Sequence, residues 1–276
     1  MTKRALVLGG GGITGIAWEW GILAGLKATG VDLTGTDLVV GTSAGSVVGT
    51  QVATGLDPEE RYQEQLTPPD GEIGAAMGKG LLLRYGLALV AGPPAPIKRR
   101  VRIGRLAVRA AAVDEALRIA VIESRLPVRE WPDTPLRITA VDVETGEFRA
   151  FDRDSGVPLV VAVAASCAVP GVWPPVTIDG RRYMDGGVRS GANADLAAGY
   201  DRIVVVAPLP RGMGASAFTE VAKLRTSARV ELVVPDDAAR KSFGRNVLDP
   251  VQRPAAARAG LAQSASVIDR VRSVWT

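Results

Sequence analysis

Gly41-Thr42-Ser43-Ala44-Gly45 sets a serine in the pattern G-x-S-x-G, between a short apolar stretch and a small-residue helical one. Small residues on both sides allow the sharp, strained turn that holds a nucleophilic hydroxyl out at the carboxyl end of a sheet. The helix that follows brings the positive end of its dipole near charge developing beside that hydroxyl. The bland alternative is a tight strand-to-helix turn in which serine caps the helix. A serine nucleophile needs a base, and the chain has no histidine. That excludes every Ser-His-Asp and Cys-His mechanism, and the histidine metal motifs with them. The proton must pass to a carboxylate instead. An ordinary aspartate, with a pKa of about 3.9, is a feeble base, so its surroundings must raise that value or the oxyanion must be strongly held. Asp185, opening Asp185-Gly186-Gly187 after a strand-like run, is the candidate. Asp142, Asp152, Asp154, Asp179 and Asp195 compete with it, and spacing does not eliminate them.

The glycines from Gly9 to Gly15 carry two readings. Gly10-x-Gly12-x-x-Gly15 after a first strand fits a dinucleotide fingerprint literally. That fingerprint also wants an acidic residue ending the second strand, whereas here the second strand runs into Gly41-Thr42-Ser43 and Asp32 precedes it. The more economical reading is a loop of backbone N–H groups aimed at an oxyanion.

These residues need a parallel α/β frame. Residues 5–8 read as a buried strand, Ile16–Thr29 as a helix ending at Gly30, and Thr36–Val40 as a second strand before the serine turn. Strand, glycine turn and helix occur twice within 55 residues. Residues 56–130 differ: prolines at 58, 68, 69, 93, 94 and 96, an apolar patch over 81–90, then Lys98, Arg99, Arg100, Arg102, Arg105 and Arg109. This stretch is expected to be an insertion, either a cap facing a membrane or an amphipathic helix with solvated arginines. Hairpins are expected over 136–151 and 176–184, a helix over 157–168 and a strand over 202–207. The tail, 218–276, reads as helical. The expectation is one domain over 1–276, with 56–130 inserted in it.

Composition sets the outer limits. The chain has 276 residues, 47% hydrophobic and 22% charged, with a net charge of +4. Aromatic residues make up 5%, too few and too scattered for a nucleic-acid surface. The lone Cys167 rules out an internal disulfide and fits a reducing compartment. The opening apolar run is too short for a signal-peptide core, so a cytoplasmic location is expected, with peripheral contact at an anionic membrane as an option.

The glycine loop at 10–15, Gly41-Thr42-Ser43-Ala44-Gly45 and Asp185-Gly186-Gly187, in that order, resemble the patatin-like phospholipase family. The segment Ala165 to Pro175, with its Pro170-Gly171-Val172-Trp173-Pro174, and Tyr183-Met184 before Asp185 extend the similarity, which covers roughly 4–55 and 134–208. The resemblance implies a three-layer α/β/α fold with a mainly parallel central sheet and a Ser-Asp dyad. It also implies hydrolysis of lipid acyl esters without metal or cofactor. By motif position it makes Ser43 the nucleophile and Asp185 the base, with the amides of Gly10, Gly11 and Gly12 as the oxyanion hole. Thr14 departs from the pattern, since the family usually carries Arg or Lys there. Asn193 sits where the family often has an asparagine that ties the aspartate loop in place. Two other readings stay open: a dinucleotide-binding protein, and a catalytically idle relative that binds lipid or a protein partner.

Overall fold

The computed structural model describes residues 2–67, 95–110 and 113–276. The chain begins with β1 (Arg4–Leu8), α1 (Gly12–Ala28), β2 (Leu38–Gly41) and α2 (Ala44–Ala53). Next come α3 (Pro58–Leu66), α4 (Pro96–Ala110) and α5 (Glu115–Glu123). β3 (Leu136–Asp142), β4 (Phe148–Phe151), α6 (Leu159–Ser166), β5 (Val176–Ile178) and β6 (Arg181–Asp185) follow. The last elements are β7 (Arg202–Val206), α7 (Ala217–Leu224), β8 (Arg229–Val233), α8 (Asp237–Ser242) and α9 (Arg253–Trp275).

The strands form one mixed sheet in the order β5-β6-β3-β2-β1-β7-β8, with β4 also paired to β3. β3, β2, β1, β7 and β8 are mutually parallel, while β6 and β4 run antiparallel to β3. Burial on both faces explains why the central strands are apolar throughout. Leu6, Leu8, Val39, Ile138 and Val206 face one helical layer, whose packing includes α1, α2, α6 and α9. Ala5, Val7, Val40, Ile203 and Val205 face the other, where α7 packs. The result is three layers, α/β/α. α4 buries Ile103 against Val141 and Met184 on that second face, and its Lys98, Arg105 and Arg109 stay exposed. The prolines at 68, 69, 93 and 94 and the apolar patch over 81–90 lie outside the described residues.

α1 is buried nearly all round, because α9 lies along its outer side. The two helices approach backbone to backbone through glycines. A Cβ at Gly21 would stand 2.2 Å from Ala257 O, and one at Gly260 would stand 2.3 Å from Trp18 O. Trp18 and Trp20 flank this contact and place their indole N–H groups on Gln263 and Gln51.

Both expected hairpins are present, and the tail needs one correction. Arg229–Val233 is not helical; it extends the sheet as β8, parallel to β7. Its alternation of Val230 and Leu232 with charged residues is short enough to be lost among the alanines and arginines around it.

Candidate active site

Sheet register brings the serine turn and the aspartate together. β2 ends at Gly41, opposite Ile138, but β3 continues to Asp142. The antiparallel β6 descends along that extension and stops at Asp185, opposite Ala140. The aspartate is therefore delivered to the same sheet edge at which β2 turns into α2, with one strand between them.

At the turn, Ser43 has φ 52° and ψ −117°. Positive φ is strained for a residue with a side chain, and the surroundings hold it there. Ser43 N–H donates to Ser166 Oγ at 2.9 Å, and Cys167 Sγ contacts Ser43 O at 3.3 Å. Gly45 passes so close to β1 that a Cβ there would lie 2.1 Å from Leu8 O. This contact is the physical content of the second glycine in the pentapeptide. Burial pushes the Cys167 thiol pKa up, so this cysteine braces the turn and stays protonated.

Asp185 is 5% exposed. Burial pushes its carboxyl pKa from 3.8 to about 6, while hydrogen bonding from Ser43 and the Gly187 amide, and the charge of Arg118, pull it back. Gly187 N–H donates to Oδ1 at 2.7 Å. Asp154 and Asp179 are exposed, and the other three competing aspartates are committed elsewhere. Asp142 caps the β3–β4 turn by accepting from the Glu144 and Thr145 amides, Asp152 bonds Ser155, and Asp195 pairs with Arg189 at 2.5 Å.

Asn193 ties the loop after Asp185 to the serine turn. Its Nδ2 donates to Thr42 Oγ1 at 3.0 Å, Ser190 O at 3.0 Å and Gly186 O at 3.3 Å, and its Oδ1 accepts from Arg189 at 2.7 Å. Thr139 on the intervening strand donates to Thr42 Oγ1 at 2.9 Å.

The glycine loop crosses over the serine: a Cβ at Gly10 would sit 3.4 Å from Ser43 Cβ. Only part of the expected donor set is free, however. Gly10 N–H is already donated to Gly191 O at 2.8 Å, so it has no hydrogen to offer an oxyanion. Gly11, the residue preceding α1, and Gly12, its first residue, have no acceptor for their N–H groups among the described residues. The helix also begins earlier than the sequence suggests, at Gly12. The N-termini of α1 and α2 thus converge beside Ser43, each contributing positive potential. Thr14 N–H donates to Val247 O at 3.1 Å and its hydroxyl reaches the same oxygen at 3.4 Å. The position where the resemblance expects a cation instead pins the 245–248 loop.

Ser43, Asp185, Gly10, Gly11 and Gly12 line one cavity of about 410 Å³, walled by Val169, Pro170, Val172, Leu209, Met213, Val247 and Leu248. Such a space takes an apolar chain. A strained hydroxyl, a buried carboxylate of raised pKa and unused amides at a helix N-terminus are the parts acyl transfer requires. Among the described residues there is no cluster of three or more side chains able to hold a metal ion.

A model of the patatin-like phospholipase family matches residues 6–198. The chain belongs to this family. The curated relatives include an uncharacterized NTE family protein of Mycobacterium bovis and its counterparts in two strains of Mycobacterium tuberculosis. Each is 31% identical over 209 residues, covering 70% of this chain and 47% of the relative. The chain thus spans about half the length of the curated relatives it matches. Among solved structures, VipD from Legionella pneumophila is similar at 13% identity, covering 97% of this chain and 67% of VipD with a TM-score of 0.48. ExoU of Pseudomonas aeruginosa, in complex with SpcU, is similar at 15% identity, covering 100% of this chain and 53% of ExoU with a TM-score of 0.43.

One residue was not singled out by the sequence. Arg118 on α5 is 4% exposed and lies over the Trp173 ring, its guanidinium carbon 4.0 Å from the ring centre. Both line a narrow recess that also contains Ser43, Ala44 and Cys167. In sequence Arg118 is one arginine among many, and the only signal was the Trp173-Pro174 pair within the segment resembling the family.

Proposed function

We propose that this protein is a lipid acyl-ester hydrolase in which Ser43 is the nucleophile and Asp185 its only general base. One observation supports this above the rest: the buried Asp185 carboxyl, its pKa near 6, shares a cavity with a hydroxyl held at positive φ. Ser43 Oγ attacks the ester carbonyl carbon while its proton passes to Asp185. The carbonyl oxygen, now anionic, accepts N–H groups of Gly11 and Gly12. The tetrahedral species collapses, the carbon–oxygen bond to the leaving alcohol breaks, and Asp185 returns the proton to that alcohol. Water then attacks the acyl-serine, giving one proton to Asp185. Ser43 leaves, takes the proton back and releases the fatty acid. A carboxylate can serve in place of imidazole because its pKa sits close enough to neutrality to accept a proton, yet low enough to be ionised at pH 7. The walls of the 410 Å³ cavity are chiefly apolar and suit an acyl chain. The family membership argues for the same substrate class.

The test is chemical. A fluorophosphonate probe should add to the wild type at a single site, mapped to Ser43, and not to Ser43→Ala. Full turnover of acyl nitrophenyl esters by Ser43→Ala would refute the assignment. A folded but unlabelled wild type would favour the idle lipid-binding reading. The dinucleotide reading predicts calorimetric binding of NAD or NADP, which a hydrolase with this loop turned toward Ser43 should lack. No helix among the described residues is long and apolar enough to cross a membrane. The exposed basic residues of α4 offer a surface for peripheral contact with an anionic membrane.

A further inference from the structure

Arg118 has a problem that the protein itself does not solve. Among the described residues its buried Nε and Nη1 have no hydrogen-bond partner and no carboxylate is in ion-pair contact with it, although the charge of Asp185 acts on it from farther off. Burial lowers its pKa only to about 10, so the group is charged at neutral pH. A buried cation with no ion-pair contact is costly, and its place over the Trp173 ring at 4.0 Å offsets only part of that cost. Held over the ring, the guanidinium keeps its unbonded N–H groups available to a partner.

This cation and Trp173 line both a narrow recess of about 30 Å³ that adjoins Ser43 and Ala44 and a wider cavity of about 850 Å³ with room for a phosphate. Ser43, Gly12, Val169 and Leu248 are shared between the narrow recess and the apolar cavity of about 410 Å³. The serine therefore lies at a boundary, with space for a chain on one side and an unpaired positive charge on the other. A phospholipid has this distribution of chemistry around its ester, acyl chain to one side and phosphate to the other across the glycerol unit. Nitrogen donors in a planar fork suit phosphate oxygens.

We propose that Arg118, held by Trp173, is the subsite that recognises the phosphate of a phospholipid or lysophospholipid substrate. This rests on the acyl-hydrolase reading above. The substrate's phosphate pairs with the buried guanidinium, so esters that bear a phosphate are selected over phosphate-free esters of equal chain length.

The experiment compares kcat/KM for a lysophosphatidylcholine and a monoacylglycerol carrying the same acyl chain, in the wild type, Arg118→Ala and Arg118→Lys. The ratio of the two constants cancels any loss of folded enzyme. A charge-assisted hydrogen bond contributes about 1.5–3 kcal/mol, so the ratio should fall tenfold or more in Arg118→Ala and recover in part in Arg118→Lys. A ratio unchanged within twofold in Arg118→Ala overturns the proposal. Should the wild type turn over neither ester, the hydrolase reading fails, and calorimetry decides the subsite separately. Binding of dihexanoyl phosphatidylcholine to the wild type and its loss in Arg118→Ala sustain the proposal. Binding of inorganic phosphate without the phospholipid, or of neither, overturns it.

Discussion

Asp185 should set the pH dependence of both activity and stability, in opposite senses. In the mechanism proposed above its carboxyl must be ionised to take the Ser43 proton, so kcat/KM in the free enzyme should follow the fraction ionised. With a pKa of about 6, the carboxylate is about 90% ionised at pH 7 and about 10% at pH 5, by the titration relation behind. Activity should therefore halve near pH 6 and drop roughly tenfold from pH 7 to pH 5. Stability runs the other way. Raising the folded-state pKa from 3.8 to about 6 means that the unfolded chain loses this proton first as pH rises. Below about pH 4 both states hold the proton and no penalty exists. Between about 4 and 6 the unfolded state binds fewer protons, so stability falls with rising pH. Above 6 the penalty levels off at up to about 3 kcal/mol, since each pH unit is worth about 1.4 kcal/mol.

Asp185→Asn removes the charge and keeps an oxygen to accept the Gly187 N–H. The variant should lose turnover at every pH. At pH 8 it should be more stable than the wild type by as much as 3 kcal/mol, equivalent to about 6–12 °C in a domain of this size. At pH 4 the two should melt together. The assay is a soluble short-chain acyl ester followed from pH 4.5 to 8.5 by released acid, with thermal melts at both ends of that range. A flat pH–rate profile from 5 to 8 would refute the burial argument. So would an Asn variant whose stability relative to wild type is the same at pH 4 and pH 8.

Three further outcomes follow from the packing. Glu19 is fully buried on α1, and burial drives its pKa well above 4.5, offset only in part by the backbone N–H of Gly9. By the same sign, the stability gained in Glu19→Gln should grow from pH 5 to pH 8 in urea melts; a pH-independent difference would count against a neutral buried carboxyl. Gly45→Ala forces a Cβ to 2.1 Å from Leu8 O, so denaturant titration should show a loss of about 3 kcal/mol or an unfolded chain. Asn193→Ala abolishes the side-chain bonds to Thr42, Ser190 and Gly186. It should cost about 2–3 kcal/mol and lower kcat more than it raises KM, because the serine and the aspartate lose their common tie.

What the sequence revealed about this site, and what it hid, divides along the range of the interactions. The serine turn is a local problem. Gly41 and Gly45 are needed within the pentapeptide, so the pattern is visible there without knowing the rest of the chain. The central strands are legible for a similar reason, because burial on both faces makes Leu6-Val7-Leu8 and Val204-Val205-Val206 continuously apolar. The donor set is different. Gly10 looks as available as Gly11 until Gly191, 181 positions later, takes its hydrogen. β8 is a strand because β7 offers it an edge, and nothing within its five residues outweighs the helical composition around them.

Arg118 is the extreme case, and it says why a site without histidine is hard to read in full. In the proposed Ser-Asp pair the carboxylate must be kept from water, and the burial that raises Asp185 also dries out what lies near it. Any cation placed there to meet an anionic substrate is then buried before the substrate arrives. It stands without a partner, on a helix where arginine would ordinarily be solvated. Its meaning comes from α5 packing on α6 and from Trp173 beneath it, contacts that no local pattern records. On this proposal the same desolvation tunes the base and buries the cation, so a variant that wets the recess should weaken both. Trp173→Ala tests this: it should shift the acid limb of kcat/KM below pH 6 as water reaches Asp185. It should also reduce the preference for a phosphate-bearing ester. A change in one without the other would separate what the fold here joins.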